Sequence, residues 1–113
     1  MARFVLTKNF IEGTHFWPGA AGDEHFLRHS HRHLFEIRCK AFVASPDRQI
    51  EIIAMQHRIA TYLSERFGTP CEFGALSCES IAELLAEAFN FSEVTVLEDG
   101  ISGGGYVRSD ENL

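Results

Sequence analysis

Three histidines have the type and spacing to do chemistry. His31 and His33 lie in the run His29-Ser30-His31-Arg32-His33-Leu34-Phe35, and His15 lies upstream. Side chains alternate along a strand, so an H-x-H at its mouth puts both imidazoles on one face. A third histidine on a neighbouring strand would close a three-nitrogen site. Three protein ligands and one open position is the usual way to hold a catalytic zinc. Iron, nickel or copper also suit nitrogen ligands. Four of the chain's six histidines fall between His25 and His33, so the clustering is not dispersed background. They alternate with other residues, unlike a contiguous tag. Cys71 and Cys78 are further metal-ligand types, but their spacing matches no common zinc motif, and free thiols are expected.

The elements that must position these residues follow from hydrophobic period. Segment 3–15 alternates as a strand, with Val5, Thr7, Asn9, Ile11, Gly13 and His15 on one face and Phe4, Leu6 and Phe10 on the other. Residues 17–28 carry loop chemistry in Trp17-Pro18-Gly19 and Gly22-Asp23. Segment 29–44 reads as a second strand, ended by Ser45-Pro46-Asp47. The period then changes: Ile52, Met55, Ile59, Leu63 and Phe67 predict a helix over 50–67, stopped at Gly68-Thr69-Pro70. A second helix is expected at 78–90, capped by Ser77, with Ile81, Leu84, Leu85 and Ala88 as its buried stripe. Glu79 and Glu83 in its first turns suit the helix dipole. Val94–Glu98 reads as a third strand, Gly100 to Gly105 as a flexible connection, and 106–108 as a short fourth strand. The order β-β-α-α-β-β predicts an α+β domain over residues 1–113, a four-stranded antiparallel sheet with both helices on one face. The other face would need a cover, so a homo-oligomer is expected.

Composition narrows the function. The length fits one domain, and 45 % hydrophobic residues with ten phenylalanines can fill a core. A net charge of −6 argues against a nucleic-acid partner. Arg28, Arg32 and Arg38 flank the histidine run, which leaves room for a small anionic ligand. No signal peptide or membrane-length apolar window is seen, and three scattered cysteines suit a reducing, cytoplasmic setting.

Over about residues 4–108 these motifs resemble the 6-pyruvoyl- and 6-carboxy-tetrahydropterin synthase family, whose subunits have the tunnelling (T-) fold. The family's F-x-A-x-H segment is matched by Ile11-Glu12-Gly13-Thr14-His15, and its H-G-H-x-Y by His31-Arg32-His33-Leu34-Phe35. Leu76-Ser77-Cys78-Glu79-Ser80-Ile81-Ala82 stands where the family has P-T-x-E-N, and Val94-Thr95-Val96-Leu97-Glu98 where it has V-x-V-x-E. The resemblance implies Zn2+ on His15, His31 and His33. It implies a pterin-like ligand held by Glu98, with Ser77, Cys78 and Glu79 also at the substrate, because a carboxylate can accept two N–H bonds from a guanidine-like edge. It further implies a lyase acting on a dihydroneopterin triphosphate-type substrate in biopterin or queuosine-precursor metabolism, with the site between subunits.

The departures bear on catalysis. The family's catalytic cysteine, four residues before H-x-H, is Leu27 here, and its L-D-H motif is replaced in Leu63-Ser64-Glu65-Arg66-Phe67. Leucine cannot move a proton. Substitute acid-base groups are Asp23, Glu24, His25 and His29, with His57 farther off. The alternative expectation is a catalytically inactive T-fold protein that binds a pterin- or purine-like ligand or serves as a structural oligomer.

Overall fold

A computed structural model describes residues 2–108. In chain order the elements are β1 (Arg3–His15), a 3-10 segment (Gly22–Arg28), β2 (His31–Val43), α1 (Ile52–Phe67), β3 (Cys71–Glu72), α2 (Cys78–Phe89), β4 (Glu93–Glu98) and β5 (Ser102–Val107). The sheet runs β3-β1-β2-β4-β5. The α+β class is as expected, but the sheet is not four-stranded and fully antiparallel: β3 adds a fifth strand, parallel to β1.

Gly13 admits that extra strand. A Cβ there would stand 2.8 Å from the Phe73 ring and 3.0 Å from the Cys71 carbonyl oxygen. Without one, the 71–73 segment lies directly against β1, and Phe73 N–H donates to the Thr14 carbonyl. A pairing of two residues is too short to leave a period-2 signature.

The glycine run is also structured differently from expectation. Gly103, Gly104 and Gly105 are strand, not connection, and the turn is confined to Asp99–Ile101. Asp99 and Gly100 both have positive φ (56° and 72°), the requirement of a primed hairpin turn, and Ile101 N–H closes it on the Glu98 carbonyl. A Cβ at Gly104 would sit 2.7 Å from Glu79 Cγ, so the glycine lets the start of α2 lie close against β5.

Both helices cover one face of the sheet. Phe35, Ile37, Cys39 and Ala41 of β2 share a single core with Met55, Ile59 and Leu63 of α1 and Cys78, Ile81, Ala82, Leu85 and Ala86 of α2. The Glu51 carboxylate caps α1 by accepting from Ala54 N–H, and Ser77 Oγ caps α2 by accepting from Ser80 N–H. The α2 stripe is rotated from expectation: Ala88 is exposed and Ala82 and Ala86 are buried, because β4 and β5 approach on the side of the small residues. On the uncovered face Phe4, Leu6, Phe10, Leu34 and Phe42 are all exposed. Among the described residues no helix is long and apolar enough to cross a membrane.

Candidate metal centre

Strand register builds the site. The antiparallel β1–β2 ladder sets His15 opposite His31 and Gly13 opposite His33. The β2–β4 ladder sets Glu98 opposite Phe35, diagonal to His33. His15, His31, His33 and Glu98 therefore share the helix-facing side at one end of the sheet. The imidazole centroids lie 4.7 Å (His15–His31), 5.0 Å (His31–His33) and 5.4 Å (His15–His33) apart. One ligand atom from each of the four residues falls within 4.8 Å of the other three. Phe35 packs against both His15 and His33 and forms an apolar floor.

Each imidazole is oriented through Nδ1. His15 Nδ1 lies 3.0 Å from the Leu76 carbonyl oxygen, His31 Nδ1 lies 3.0 Å from the His29 carbonyl oxygen, and His33 Nδ1 lies 2.8 Å from Asp99 Oδ2. All three partners only accept, so each Nδ1 carries the proton and donates it. In the neutral ring the Nε2 lone pair is then left free to bind a cation. This is the arrangement by which metal-bound histidines are usually fixed.

The centre has the donors of a cation site and lacks its own compensation. His15 Nε2 is buried and has no hydrogen-bond partner; Glu98 Oε2 is 2.9 Å away, but not in hydrogen-bond alignment. Glu98 Oε1 lies 3.4 Å from His33 Nε2. Converging lone pairs and a carboxylate repel one another unless a positive charge stands between them. Metal–nitrogen and metal–oxygen bonds of about 2.0–2.1 Å give tetrahedral ligand–ligand edges of about 3.3 Å. The two Glu98 separations, one to each oxygen, lie near that value and all four ligand atoms fall within 4.8 Å, so the donor set suits a zinc-sized ion once its wider pairs draw in.

Asp99 was not singled out by its sequence, where Asp99-Gly100 reads only as a turn. Its Oδ1 accepts from Leu34 N–H at 2.9 Å while Oδ2 accepts from His33. The Leu34 N–H first, and His33 next, hold its carboxyl below the usual carboxylate range. The Leu76 carbonyl had no sequence signal at all, because a backbone group is independent of residue type.

A cleft of about 570 Å³ opens on the centre, lined by His15, His31, Trp17, Leu27, Cys78 and Glu98 among others. Ser77 and Glu79 also line it, so the four residues expected at the substrate all face one space. Burial first, then Glu98 and Glu79, pushes the Cys78 thiol up to about 12, and it donates to Glu98 Oε2 at 3.7 Å. Leu27 occupies the wall where the resemblance expects a reactive thiol. Asp23, Glu24, His25, His29 and His57 do not line the cleft, and His29 contributes only its carbonyl to His31.

The arginines flanking the histidine run do not form an anion site in this cleft. Arg28 donates to the Ala20 carbonyl, Arg32 pairs with Glu12 and Arg38 with Glu36. Cys39, Cys71 and Cys78 are free and buried, and none belongs to the ligand group. No protein-family model matches this chain, and no curated protein matches it at a significant level.

Proposed function

We propose that this chain is a divergent, zinc-dependent protein of the tetrahydropterin-synthase type, which receives a pterin-like heterocycle in the cleft above His15, His31 and His33. The observation that carries the reading is the convergence of one ligand atom from each of three imidazoles whose Nδ1 partners are already fixed. Zinc bound there supplies a Lewis acid for a carbonyl or hydroxyl oxygen of the ligand. Glu79 and Glu98 both line the cleft and offer carboxylate acceptors for ring N–H groups. Trp17 and Leu27 supply apolar wall against a planar ring. Assembly into a homo-oligomer through the uncovered sheet face belongs to the same proposal, supported by five large exposed apolar side chains on that face.

A second reading, binding without turnover, is favoured by one specific observation: the wall position of the expected thiol is Leu27, and no other acid-base candidate from loop 17–28 reaches the cleft. The Cys78 thiol is the one cysteine in the cleft lining. Trp17 is the chain's single tryptophan, so its fluorescence reports on this cleft. Zinc-loaded protein is titrated with 7,8-dihydroneopterin triphosphate while chromatography follows its conversion. A saturable Trp17 change with product supports the enzyme, the same change without product supports the binding protein, and no change removes the pterin reading.

A further inference from the structure

We propose that Glu98 is a displaceable fourth metal ligand, a carboxylate latch that closes the histidine site until an incoming ligand takes its place. This rests on the metal reading above and adds a regulated coordination position to it. Glu98 comes from β4, whereas the histidines come from β1 and β2, and it lines the cleft together with His15 and His31. Its two oxygens divide between the rings, Oε2 at 2.9 Å from His15 Nε2 and Oε1 at 3.4 Å from His33 Nε2. The His15 contact is misaligned for a hydrogen bond, so the carboxylate stands beside the imidazoles as a neighbouring donor in the candidate ligand group.

The latch has a second holding point. Cys78, at the first turn of α2, donates to the same Oε2 at 3.7 Å. A thiol is a weak donor, so this contact guides the carboxylate without fixing it. The carboxylate is also about a third exposed, unlike His15, and borders the open cleft. With three imidazoles and Glu98 filling a four-coordinate ion, an incoming ligand atom takes the fourth position only by displacing the carboxylate. The freed carboxylate then remains in the cleft, negative and able to accept N–H groups from that ligand. One residue thus serves in turn as metal ligand and ligand anchor. The selected guest is a molecule with a metal-binding oxygen or nitrogen next to an N–H-rich edge.

The test uses cobalt(II) in place of zinc and azide as a small probe of the fourth position, read by the visible d–d bands. If Glu98 vacates its position less than about a tenth of the time, azide affinity is lowered about tenfold or more in the native chain. Glu98→Ala should therefore bind azide at least about tenfold more tightly than wild type. Removing a negative charge could raise anion affinity by itself, so the neutral ligand imidazole is titrated alongside azide and should show the same gain in Glu98→Ala. Cys78→Ala should fall between wild type and Glu98→Ala. Equal azide affinity in wild type and Glu98→Ala overturns the latch while leaving the histidine site standing, as does a gain for azide that imidazole does not share. Absence of cobalt bands in every form overturns the metal reading and the latch with it.

Discussion

Zinc should raise the melting temperature of this chain, and truncating His31 should abolish that rise. His31 is the better perturbation than His15. His15 is only 8 % exposed and packs on Phe35, so its loss would also open the core. His31 is half-buried, and among the described residues its side chain hydrogen-bonds only to the neighbouring His29 carbonyl. Its truncation removes one of three nitrogen ligands with little packing loss, so metal-free stability should move by less than about 1 kcal/mol. Zinc at a hundredfold excess over its dissociation constant stabilises the folded state by about 2.7 kcal/mol. An unfolding entropy of about 2.1 cal/mol/K per residue over 113 residues is about 0.24 kcal/mol/K, which converts that stabilisation to about 11 °C. The assay is circular-dichroism melting of chelator-stripped protein, with and without zinc, for wild type and His31→Ala. A wild-type midpoint that zinc does not move, or a His31→Ala midpoint that zinc moves equally, would refute the reasoning.

Other consequences test neighbouring parts of the account. Asp99→Ala leaves His33 Nδ1 without its acceptor, so zinc affinity by competition with a chromophoric chelator should fall about 10–100-fold while the far-ultraviolet spectrum is kept. Gly13→Ala drives a Cβ to 2.8 Å from the Phe73 ring and 3.0 Å from the Cys71 carbonyl, and should cost about 1–3 kcal/mol in urea unfolding; a neutral result would mean β3 does not pack against β1 as described. Burial pushes the Cys39 thiol up to about 12 from 9.0. The unfolded thiol ionises first, so this contribution is complete below about pH 9 and is lost between about 9 and 12, at up to about 1.4 kcal/mol per pH unit. The stability advantage of wild type over Cys39→Ala should therefore shrink between about pH 8 and about pH 10.5, and an unchanged gap would contradict the burial argument.

Strand alternation made much of this legible in advance. It placed His31 and His33 on one face because a period of two leaves no other choice within β2, and the β1–β2 register then brought His15 beside them. The 3.6-residue period of Met55, Ile59 and Leu63 likewise defined α1. What the sequence withheld depends on tertiary approach. The two-residue β3 is enabled by a missing Cβ at Gly13, and the glycines of β5 by the closeness of α2; neither leaves a hydrophobic period. The rotation that exposes Ala88 depends on which helix side meets β4 and β5, a choice among apolar residues. Glu98 was legible as a carboxylate at a strand end, but its distance from two imidazoles depends on β2–β4 register. Asp99 combined a turn position with a side-chain role, and the turn signal masked the second.

The most direct test of the central claim is the metal content of tag-free protein measured by elemental analysis, beside a His31→Ala/His33→Ala double variant. The account predicts about one zinc per chain in the native protein and none in the variant. Native protein that holds no metal after incubation with excess zinc, or a variant that holds as much as the native chain, would contradict it.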